Sequence, residues 1–486
     1  MTNSRQYQAI IVGSGAGGSA AAFRLARAGL RVALIEKGGS LPKDGSTLDF
    51  NRVVHEGAFK SREQWRDRQG RVFCPEEYFN VGGKTKWYGA ALLRYGRQEF
   101  SGDTAHQCSA WPIGYDDLLP YYEEAERLLG VRGFDAEPDL QRIADMIARG
   151  ASTWRHESLP MGLSPGILRN QNEARHFDGF ASVANLKSDA ETSFLQPVLG
   201  AANLTVLTGR AVTGLIGDSC DATRINAVRL DDGTELQGDV VLLAAGALHS
   251  PRLLQSYLAA NGLSSRLPCA AEVGRNLKTH LLTAMIAIST TRMTDLIRKT
   301  LIFLSSELPH SSVQPLGFDG ELMSTLIPRF VPRGVARSVG NNAYGFFLQT
   351  EDGVHRNNRV IAASDETQGL PVLDYDAART PAAAKEHRRL VRSFTLALAR
   401  AGMIAFSRRI GIAGTAHVSG TLTAGNDPAR SVVDSLGRVH GMKSLFVVDG
   451  SILPRSSRVN PSLTIYAWAL RVADNLAGRL NPETAI

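Results

Sequence analysis

Apolar runs separated by glycine-rich or polar turns mark the N-terminal part of the chain. The run Ala9–Val12 has the length and composition of a buried parallel strand. A G-x-G-x-x-G sequence, Gly13–Gly18, follows it, and the alanine-rich segment Ser19–Ala28 then predicts a helix. Val32–Ile35 predicts a second strand, which Glu36 closes. The order of strand, glycine turn, helix and strand indicates a parallel βαβ unit.

Similar patterns predict further elements along the chain. Val240–Gly246 and Leu445–Val448 are apolar runs typical of strands in a parallel sheet. A helix is predicted after each run, one with Ser250 as its N-cap and Pro251 in its first turn, and one from about Pro461 to Leu476. The other predicted elements are a three-stranded meander with a turn at Asp232-Gly233, a later strand and a helix, at Leu204–Leu207, Ala211–Ile216, Ile225–Leu230, Ala343–Leu348 and Ala382–Ala401.

The composition is that of a globular chain and excludes several classes of protein. Of 486 residues, 43% are apolar and 21% are charged, so the chain is too apolar and too weakly charged to be disordered. Its 54 Lys and Arg against 47 Asp and Glu leave a net charge of +7. The basic residues do not cluster in long runs, so we predict no nucleic-acid partner.

Cysteines and apolar stretches bear on metals and location. The four cysteines form no CxxC pair and no Cys/His quartet, so we predict no metal site. Sparse cysteines fit reduced thiols in the cytoplasm, and the first residues lack the pattern of a signal peptide. The longest apolar stretches, such as Leu281–Ile288, are far shorter than the ~20 residues of a membrane span. We predict a cytoplasmic protein without a membrane span.

The first βαβ unit carries the fingerprint of a dinucleotide-binding site. Gly13 permits the tight turn, Gly15 lets the backbone approach a pyrophosphate, and Gly18 lets the helix pack on the strand. The helix N-terminus offers free N–H groups to the phosphates. Glu36 is placed to accept hydrogen bonds from a ribose and would repel the 2′-phosphate of NADP. The motif alone leaves open an unrelated α/β protein with a glycine-rich turn.

Seven further motifs are spread over most of the chain. They are VGGKT at 81–85, WPIGYDDLLPYY at 111–122, GALHSP at 246–251, VGRNL at 273–277, HVSGT at 417–421, VDGS at 448–451 and NPSLTI at 460–465. Together with the N-terminal fingerprint, they resemble the glucose–methanol–choline (GMC) family of FAD-dependent oxidoreductases.

The resemblance implies a fold and a division of the chain. We expect an α/β fold, α+β overall, in which a Rossmann-type FAD-binding domain is interleaved with a substrate domain built on an antiparallel sheet. The FAD-binding domain is predicted to comprise residues 1–110, 185–289 and 411–486. Residues 111–184 and 290–410 are then expected to form the substrate-binding domain.

The resemblance also implies which further residues bind FAD. They are the turn along the isoalloxazine ring, a strand position at the adenine, two strand ends and the start of the last helix, namely Gly82, Gly83, Thr85, Val212, Ala245, Gly246, Asp449, Gly450, Pro461 and Ser462. Val212 has the alternative role of a buried strand valine. Asp449 is expected to accept from a ribityl hydroxyl, and the helix start to stabilise negative charge near N1 and O2 of reduced flavin. Some members bind FAD covalently through a His near the Gly-Gly turn, where this chain has Lys86, so we predict non-covalent FAD.

His417 and Asn460 are the predicted catalytic residues. Flavin-dependent alcohol oxidation passes a hydride to flavin N5 and needs a base for the hydroxyl proton, and imidazole suits that task near neutral pH. The resemblance assigns the base to His417 and the second catalytic position to Asn460, whose amide can hold the substrate oxygen. Asn460 has the alternative role of N-cap to the helix that begins with Pro461.

The predicted function is FAD-dependent oxidation of a CH–OH group. The expected substrate is a small molecule, a sugar, glycoside or other polyol or alcohol, and the electron acceptor is O2 or another acceptor. Two alternatives stay open from the sequence. One is a GMC-like lyase that uses FAD structurally, and the other is an FAD-binding protein without catalysis.

Overall fold

The strands and helices match most of the predicted elements, with shifts at their ends. The computed structural model describes residues 6–318, 320–325, 327, 330–414 and 417–481. Its strands are β1 (Tyr7–Val12), β2 (Val32–Glu36), β3 (Trp65–Asp67), β4 (Val72–Phe73), β5 (Trp154–Ser158), β6 (Leu204–Thr208), β7 (Val212–Gly217), β8 (Ile225–Leu230), β9 (Glu235–Leu243), β10 (Leu281–Ile288), β11 (Leu301–Ser305), β12 (Ser311–Pro315), β13 (Ala343–Thr350), β14 (Arg359–Ile361), β15 (Val372–Asp374), β16 (Ile404–Arg409) and β17 (Leu445–Val447). Its α-helices are α1 (Ala16–Arg27), α2 (Tyr115–Leu129), α3 (Pro138–Gly150), α4 (Gln171–His176), α5 (Ser250–Ala260), α6 (Gly320–Thr325), α7 (Arg333–Asn341), α8 (Pro381–Arg400) and α9 (Ser462–Leu480).

The first sheet joins strands that are far apart in the sequence. Its order is β6-β2-β1-β9-β8-β7, with β17 beside β9. Strands β6, β2, β1, β9 and β17 are parallel, whereas β7 and β8 pair antiparallel with the start of β9. Ile10 of β1 lies in register between Ala33 and Val241, and all three are fully buried, which explains the continuous apolar runs. This is the Rossmann-type sheet that the sequence predicts.

The predicted meander is wrong for β6. This strand pairs in parallel with β2 at the edge of the sheet, not with β7. The chain leaves β6 through Gly209, whose φ is +67°, and the N–H groups of Gly209 and Arg210 donate to the carbonyls of Gly38 and Glu36. These two bonds tie the end of β6 to the end of β2. The meander therefore consists of β7, β8 and β9, with the predicted turn at Asp232-Gly233 between the last two.

Helix α1 begins at Ala16, earlier than predicted, because the glycine turn runs directly into it. A Cβ at Gly17 would lie 1.8 Å from the carbonyl oxygen of Val448, so the helix start touches the end of β17. Helix α5 begins at Ser250, which is therefore not the predicted N-cap, and its hydroxyl donates instead to Asp449 at 2.5 Å. None of the helices in the described part of the chain combines the length and the apolar composition that crossing a membrane requires.

The second sheet is antiparallel, as predicted, with six strands in the order β16-β10-β13-β12-β11-β5. Helix α8 packs on it, with Phe394 against Phe303 of β11 and Phe346 of β13. Strand β10 falls within 185–289, the range predicted for the FAD-binding domain, yet it pairs with β13 and β16. We therefore propose that this domain boundary lies before β10, near residue 280.

A small third sheet, in the order β14-β15-β3-β4, connects the two predicted domains. It combines strands from residues 65–73 with strands from residues 359–374. Trp65 of β3 and Leu373 of β15 are buried together beneath it. The side chain of Gln255 on α5 also donates to the carbonyl of Val360 in β14 at 2.9 Å. The third sheet and its contact with α5 therefore connect the parts of the chain that form the two larger sheets.

Candidate active site

A cavity of about 840 Å³ extends from the glycine turn after β1 to the six-stranded sheet. Leu282 of β10, Gln314 of β12 and Phe347 of β13 line its far part. Most of the predicted site residues also line it, namely Gly13, Gly15, Glu36, Gly83, Thr85, Val212, Ala245, Gly246, His417, Asp449, Gly450, Asn460, Pro461 and Ser462. Gly18 and Gly82 lie behind the wall. The structure thus places the predicted cofactor and catalytic residues around one space.

The three fingerprint glycines have different surroundings. Gly13 has a φ of +105°, and a Cβ there would lie 2.5 Å from the carbonyl oxygen of Ala244. A Cβ at Gly18 would lie 1.9 Å from the carbonyl oxygen of Gly13. Among the described residues, no atom lies within 4 Å of the corresponding position at Gly15, because this glycine faces the open cavity. Gly13 is therefore required for the turn, Gly18 for packing of the helix, and Gly15 for close approach of a ligand.

Glu36 is the centre of a hydrogen-bond network at the cavity wall. Its Oε2 accepts from the amide of Ser14 at 2.9 Å and from the hydroxyl of Ser14 at 2.6 Å, and its Oε1 accepts from the amide of Gly38 at 2.9 Å. The amide of Gly82 donates in turn to the Ser14 hydroxyl at 3.1 Å. A carboxylate has about four acceptor sites, so Oε1 keeps capacity for a ligand hydroxyl.

The Gly82-Gly83 turn has a backbone conformation that favours glycine, and its lack of side chains lets a ligand come close to the backbone. Both glycines have positive φ, at +84° and +54°, a region that other residues rarely adopt. Thr85 closes the turn because its hydroxyl donates to the carbonyl of Gly82 at 2.6 Å. Lys86 is buried and pairs with Asp189 at 2.9 Å and with Glu191 at 2.6 Å. The lysine next to this turn is therefore held away from the cavity by two carboxylates.

Two strand ends and the start of β7 complete the cofactor end of the cavity. Val212, the first residue of β7, is only half-buried and lines the cavity, unlike a buried strand valine. Ala245 and Gly246 follow β9, and Gly246 has a φ of +85°. Their places in the cavity lining are compatible with the predicted contacts to FAD, which stay predictions.

Asp449 makes contacts other than the expected one. Its Oδ2 accepts from the amide of Gly246 at 2.8 Å and from the hydroxyl of Ser250 at 2.5 Å. Its Oδ1 accepts from the amide of Ser451 at 2.9 Å and from the hydroxyl of Ser451 at 2.5 Å. Burial raises the pKa of Asp449, and these hydrogen bonds offset part of that effect. Because four protein donors occupy the carboxylate, we infer that Asp449 joins the loops after β9 and β17, not that it binds a ribityl hydroxyl.

His417 and Asn460 meet at the far end of the cavity. The Nδ2 of Asn460 lies 3.4 Å from Nε2 of His417, and Gln314 donates from Nε2 to Oδ1 of Asn460 at 2.6 Å. Helix α9 begins at Ser462 with Pro461 as its N-cap and without a side-chain cap. The alternative role of Asn460 as N-cap is therefore wrong, because the helix starts too late and the amide is engaged elsewhere.

His280 is a neighbour of His417 that the sequence reasoning missed. Its Nδ1 lies 2.7 Å from Nδ1 of His417, with the rings at 88°. Burial lowers the pKa of His417 well below its usual value, and His280, Lys299 and Lys84 lower it further. His417 is thus neutral near neutral pH, as a base must be. The only sequence signal for His280 is its place shortly after the VGRNL motif.

Polar and aromatic side chains from the six-stranded sheet and from the segments beside its strands line the same cavity as His417 and Asn460. Lys299 lines the cavity and binds both carboxylate oxygens of Asp178, at 3.1 and 3.0 Å. A Cβ at Gly89 would lie 2.2 Å from atoms of each partner, so this glycine makes room for the ion pair. The other lining residues from this side include Gln314, Phe318, Phe347 and Gln349. Such a mixture suits a ligand with hydroxyl groups and apolar faces.

Two family models match this chain. A family model described as GMC oxidoreductase matches residues 7–282, and a second model with the same description matches residues 354–469. The first match alone covers more than half of the chain. It includes the glycine turn and His280, and the second includes His417 and Asn460.

Several curated relatives and solved structures match almost the whole chain. The 6'''-hydroxyparomomycin C oxidase of Streptomyces lividus is 29% identical and the match covers 100% of this chain and 94% of the relative. The paromamine 6'-oxidase of Streptomyces fradiae is also 29% identical, over 98% and 92%. The structure of pyridoxine 4-oxidase from Mesorbium loti has a TM-score of 0.66 at 19% identity, over 96% of this chain and 99% of that one. The formate oxidase of Aspergillus oryzae RIB40 has a TM-score of 0.71 at 14% identity, over 100% of both chains.

Proposed function

The chain belongs to the GMC oxidoreductase family, and from this premise we propose that it oxidises the CH–OH group of a small alcohol with FAD as its cofactor. The observation that carries the proposal is the meeting of His417 and Asn460 in the same cavity that the Gly13–Gly18 turn lines. A base and a dinucleotide fingerprint at one space are what this reaction requires.

The residues around the cavity fit FAD. Gly15 faces open space beside the start of α1, so a pyrophosphate can approach the backbone and the helix N-terminus. Glu36 keeps acceptor capacity for a ribose hydroxyl, and Gly83 lines the cavity without a side chain that would keep a ring away from its backbone. The volume of about 840 Å³ is at the upper end of the ~300–1,000 Å³ usual for ligand sites. We propose that FAD is bound non-covalently.

The chain's own residues supply proton transfer and orientation. Bound FAD would supply the hydride acceptor, at N5. We propose that Nε2 of His417 takes the hydroxyl proton while the carbinol hydride leaves with its electron pair, so that the C–O single bond becomes a carbonyl. Asn460, held by Gln314, would donate from Nδ2 to the substrate oxygen and keep it beside the base. The start of α9 at Ser462 lines the cavity and would favour negative charge there.

We propose a sugar, glycoside or other polyol as the substrate. Two 29% identical relatives are named as oxidases of 6'''-hydroxyparomomycin C and of paromamine, and a 24% identical relative is a 2-methyl-1,2-propanediol dehydrogenase of Mycolicibacterium austroafricanum. The polar groups of Gln314, Gln349 and Lys299 around the catalytic pair support a hydroxylated substrate. O2 or another acceptor is proposed to reoxidise the flavin. A cytoplasmic location stays a prediction from the sparse cysteines.

Anaerobic reduction of the FAD-bound protein tests the proposal. The flavin absorbance is followed in a stopped-flow instrument with a panel of sugars, glycosides, aminoglycosides and short polyols, and air is admitted afterwards. Bleaching by at least one compound is expected, and its return in air would identify O2 as an acceptor. Turnover without bleaching would support the lyase alternative instead. Absence of bleaching by every compound would contradict the substrate class.

A further inference from the structure

The backbone holds His280 beside His417 through a short antiparallel pairing. Lys278 and Ser419 exchange two hydrogen bonds, from the amide of Lys278 to the carbonyl of Ser419 and in the reverse direction, both at 2.9 Å. In an antiparallel pair, residues two positions further along lie opposite each other on the same side. Those residues are His280 and His417, so their contact follows from the register of the backbone.

A carbonyl determines where the protons lie on the two rings. The Nε2 of His280 lies 2.8 Å from the carbonyl oxygen of Ser457, which can only accept, so this nitrogen carries a proton. A neutral His280 then has an unprotonated Nδ1, which must accept from Nδ1 of His417 at 2.7 Å. A neutral His417 with its proton on Nδ1 has its lone pair on Nε2, the atom beside Asn460.

Both rings are neutral in this arrangement for a common physical reason. Burial lowers the pKa of His280, as it lowers that of His417, because a charged imidazole would lose its hydration. Two charged rings at 2.7 Å would also repel each other, and each would present a proton to the other.

The far end of this chain of hydrogen bonds is held rigidly. Ser457 has a φ of +64°, and His417 has a φ of +63°, a region that costs energy for residues other than glycine. Ser457 stays there because its amide donates to Glu351 at 3.0 Å and its hydroxyl donates to Glu99 at 2.6 Å. Glu351 is itself bound by Arg455 through Nε at 2.9 Å and a second nitrogen at 2.6 Å. The carbonyl of Ser457, which accepts the hydrogen bond from Nε2 of His280, therefore has a fixed position.

We propose that His280 is a positioning residue, which holds His417 in the tautomer with the proton on Nδ1 and so leaves Nε2 free to act as the base. His280 does not line the cavity and acts through His417 alone. The effect on the rate of oxidation rests on the function proposed above, whereas the tautomer itself can be measured without any substrate.

The first test is nitrogen-15 NMR of the FAD-bound protein with labelled histidine. The signals of His417 are assigned from their loss in His417→Gln. We expect Nδ1 of His417 to be protonated and Nε2 unprotonated near neutral pH. In His280→Leu, which offers no acceptor, the proton is expected to redistribute between the two nitrogens. A wild-type His417 protonated on Nε2 would overturn the proposal, whether or not a substrate is known.

The second test uses the rate of flavin reduction with the best substrate from the panel. Loss of a group that orients a metal-ligating histidine typically costs about 10–100-fold, and we expect a loss of the same order in His280→Leu, because His280 acts on an imidazole in the same way. His280→Gln, whose amide can accept from His417 and donate to Ser457, should recover much of the rate. The control is His387→Gln, which replaces another buried histidine, one bound to Thr283 and Thr350 outside the cavity. Wild-type rates in His280→Leu, or equal losses in His280→Leu and His280→Gln, would refute the positioning role.

Discussion

Gln314 orients the amide of Asn460 across the boundary between the two large sheets. The Nε2 of Gln314, in β12, donates to Oδ1 of Asn460 at 2.6 Å, so the Nδ2 of Asn460 is turned toward His417. An isolated asparagine could present either end of its amide to the base. The six-stranded sheet therefore decides which end faces the reacting atoms.

Replacement of Gln314 by leucine should slow flavin reduction while FAD stays bound. The loss of one hydrogen bond of about 0.5–1.5 kcal/mol corresponds to a rate decrease of up to about 10-fold. The matched control is Gln171→Leu at the exposed start of α4. The limiting rate of reduction is the measurement, and an unchanged rate in Gln314→Leu would show that Asn460 orients itself.

His417→Ala should remove the base without removing the cofactor. Loss of a general base typically costs ~10²–10⁴ in rate, whereas the FAD absorbance of the purified variant should match that of the wild type. His55→Ala, at an exposed position, serves as the control. Reduction at the wild-type rate in His417→Ala would exclude this residue from the mechanism.

The oxidation rate should respond to pH through His417. Its pKa is lowered by burial and by the nearby His280, Lys299 and Lys84, so kcat/KM should be constant near neutral pH and fall only in acid, where the base becomes protonated. Lys299→Met removes a positive charge and should move the acidic limb to higher pH. The double variant Asp178→Asn/Lys299→Met removes both charges of the ion pair together. Lys385→Met, at an exposed position on α8, is the control. An acidic limb that stays in place would exclude Lys299 as a cause.

Two glycines of the fingerprint should separate stability from FAD binding. Gly15→Ala places a methyl group in the open cavity, so the apoprotein should keep its Tm while FAD binds more weakly. Gly18→Ala places a methyl group 1.9 Å from the carbonyl of Gly13, and overpacking of this kind typically costs about 1–3 kcal/mol.

The measurements are the Tm of the apoprotein and the Kd of FAD for both variants. At Gly334, in α7, no atom of the described residues lies within 4 Å of the Cβ position, and this glycine is outside the cavity, so Gly334→Ala should change neither quantity strongly. A lowered apoprotein Tm in Gly15→Ala with an unchanged FAD affinity would contradict the role of this glycine.

His310 should make stability depend on pH. Its ring contacts Glu351 at 2.9 Å and Asp103 at 3.1 Å. Burial lowers the pKa of His310, but hydrogen bonding and the charge of Glu351 outweigh burial, so the net pKa is raised. A raised pKa contributes stability that is complete below the unfolded value of about 6.5 and is lost as pH rises through the folded value.

Urea unfolding of the wild type and His310→Gln measures this contribution. The variant should be less stable by about 1.5–3 kcal/mol at about pH 5.5, and the difference should shrink at about pH 8.5. His156→Gln, on β5, provides a control in the same sheet. A difference that grows with pH would mean that His310 is neutral in the folded protein.

The sequence by itself determined the local units of the fold. The βαβ unit, the later parallel strands and the last helix were predictable because apolar runs and glycines dictate backbone conformation within a few residues. The errors fell where local signals were ambiguous. Ser250 and Asn460 both looked like N-caps, yet Ser250 binds Asp449 and Asn460 binds Gln314 and faces His417.

Only the tertiary structure decided which side chains meet. His280 and His417 are separated by 137 residues, and the Lys278–Ser419 pairing sets them opposite each other. Strand β6 pairs with β2 from Leu204 to Thr208, and the residues after it add two hydrogen bonds near the end of β2. No pattern within β6 encodes this choice of partner. The periodicity of apolar residues indicates which residues are buried. The register between distant segments depends instead on packing and backbone hydrogen bonds that form only when the chain folds. The predicted base, His417, could therefore be named from the sequence, whereas His280, the residue that we propose orients it, could not.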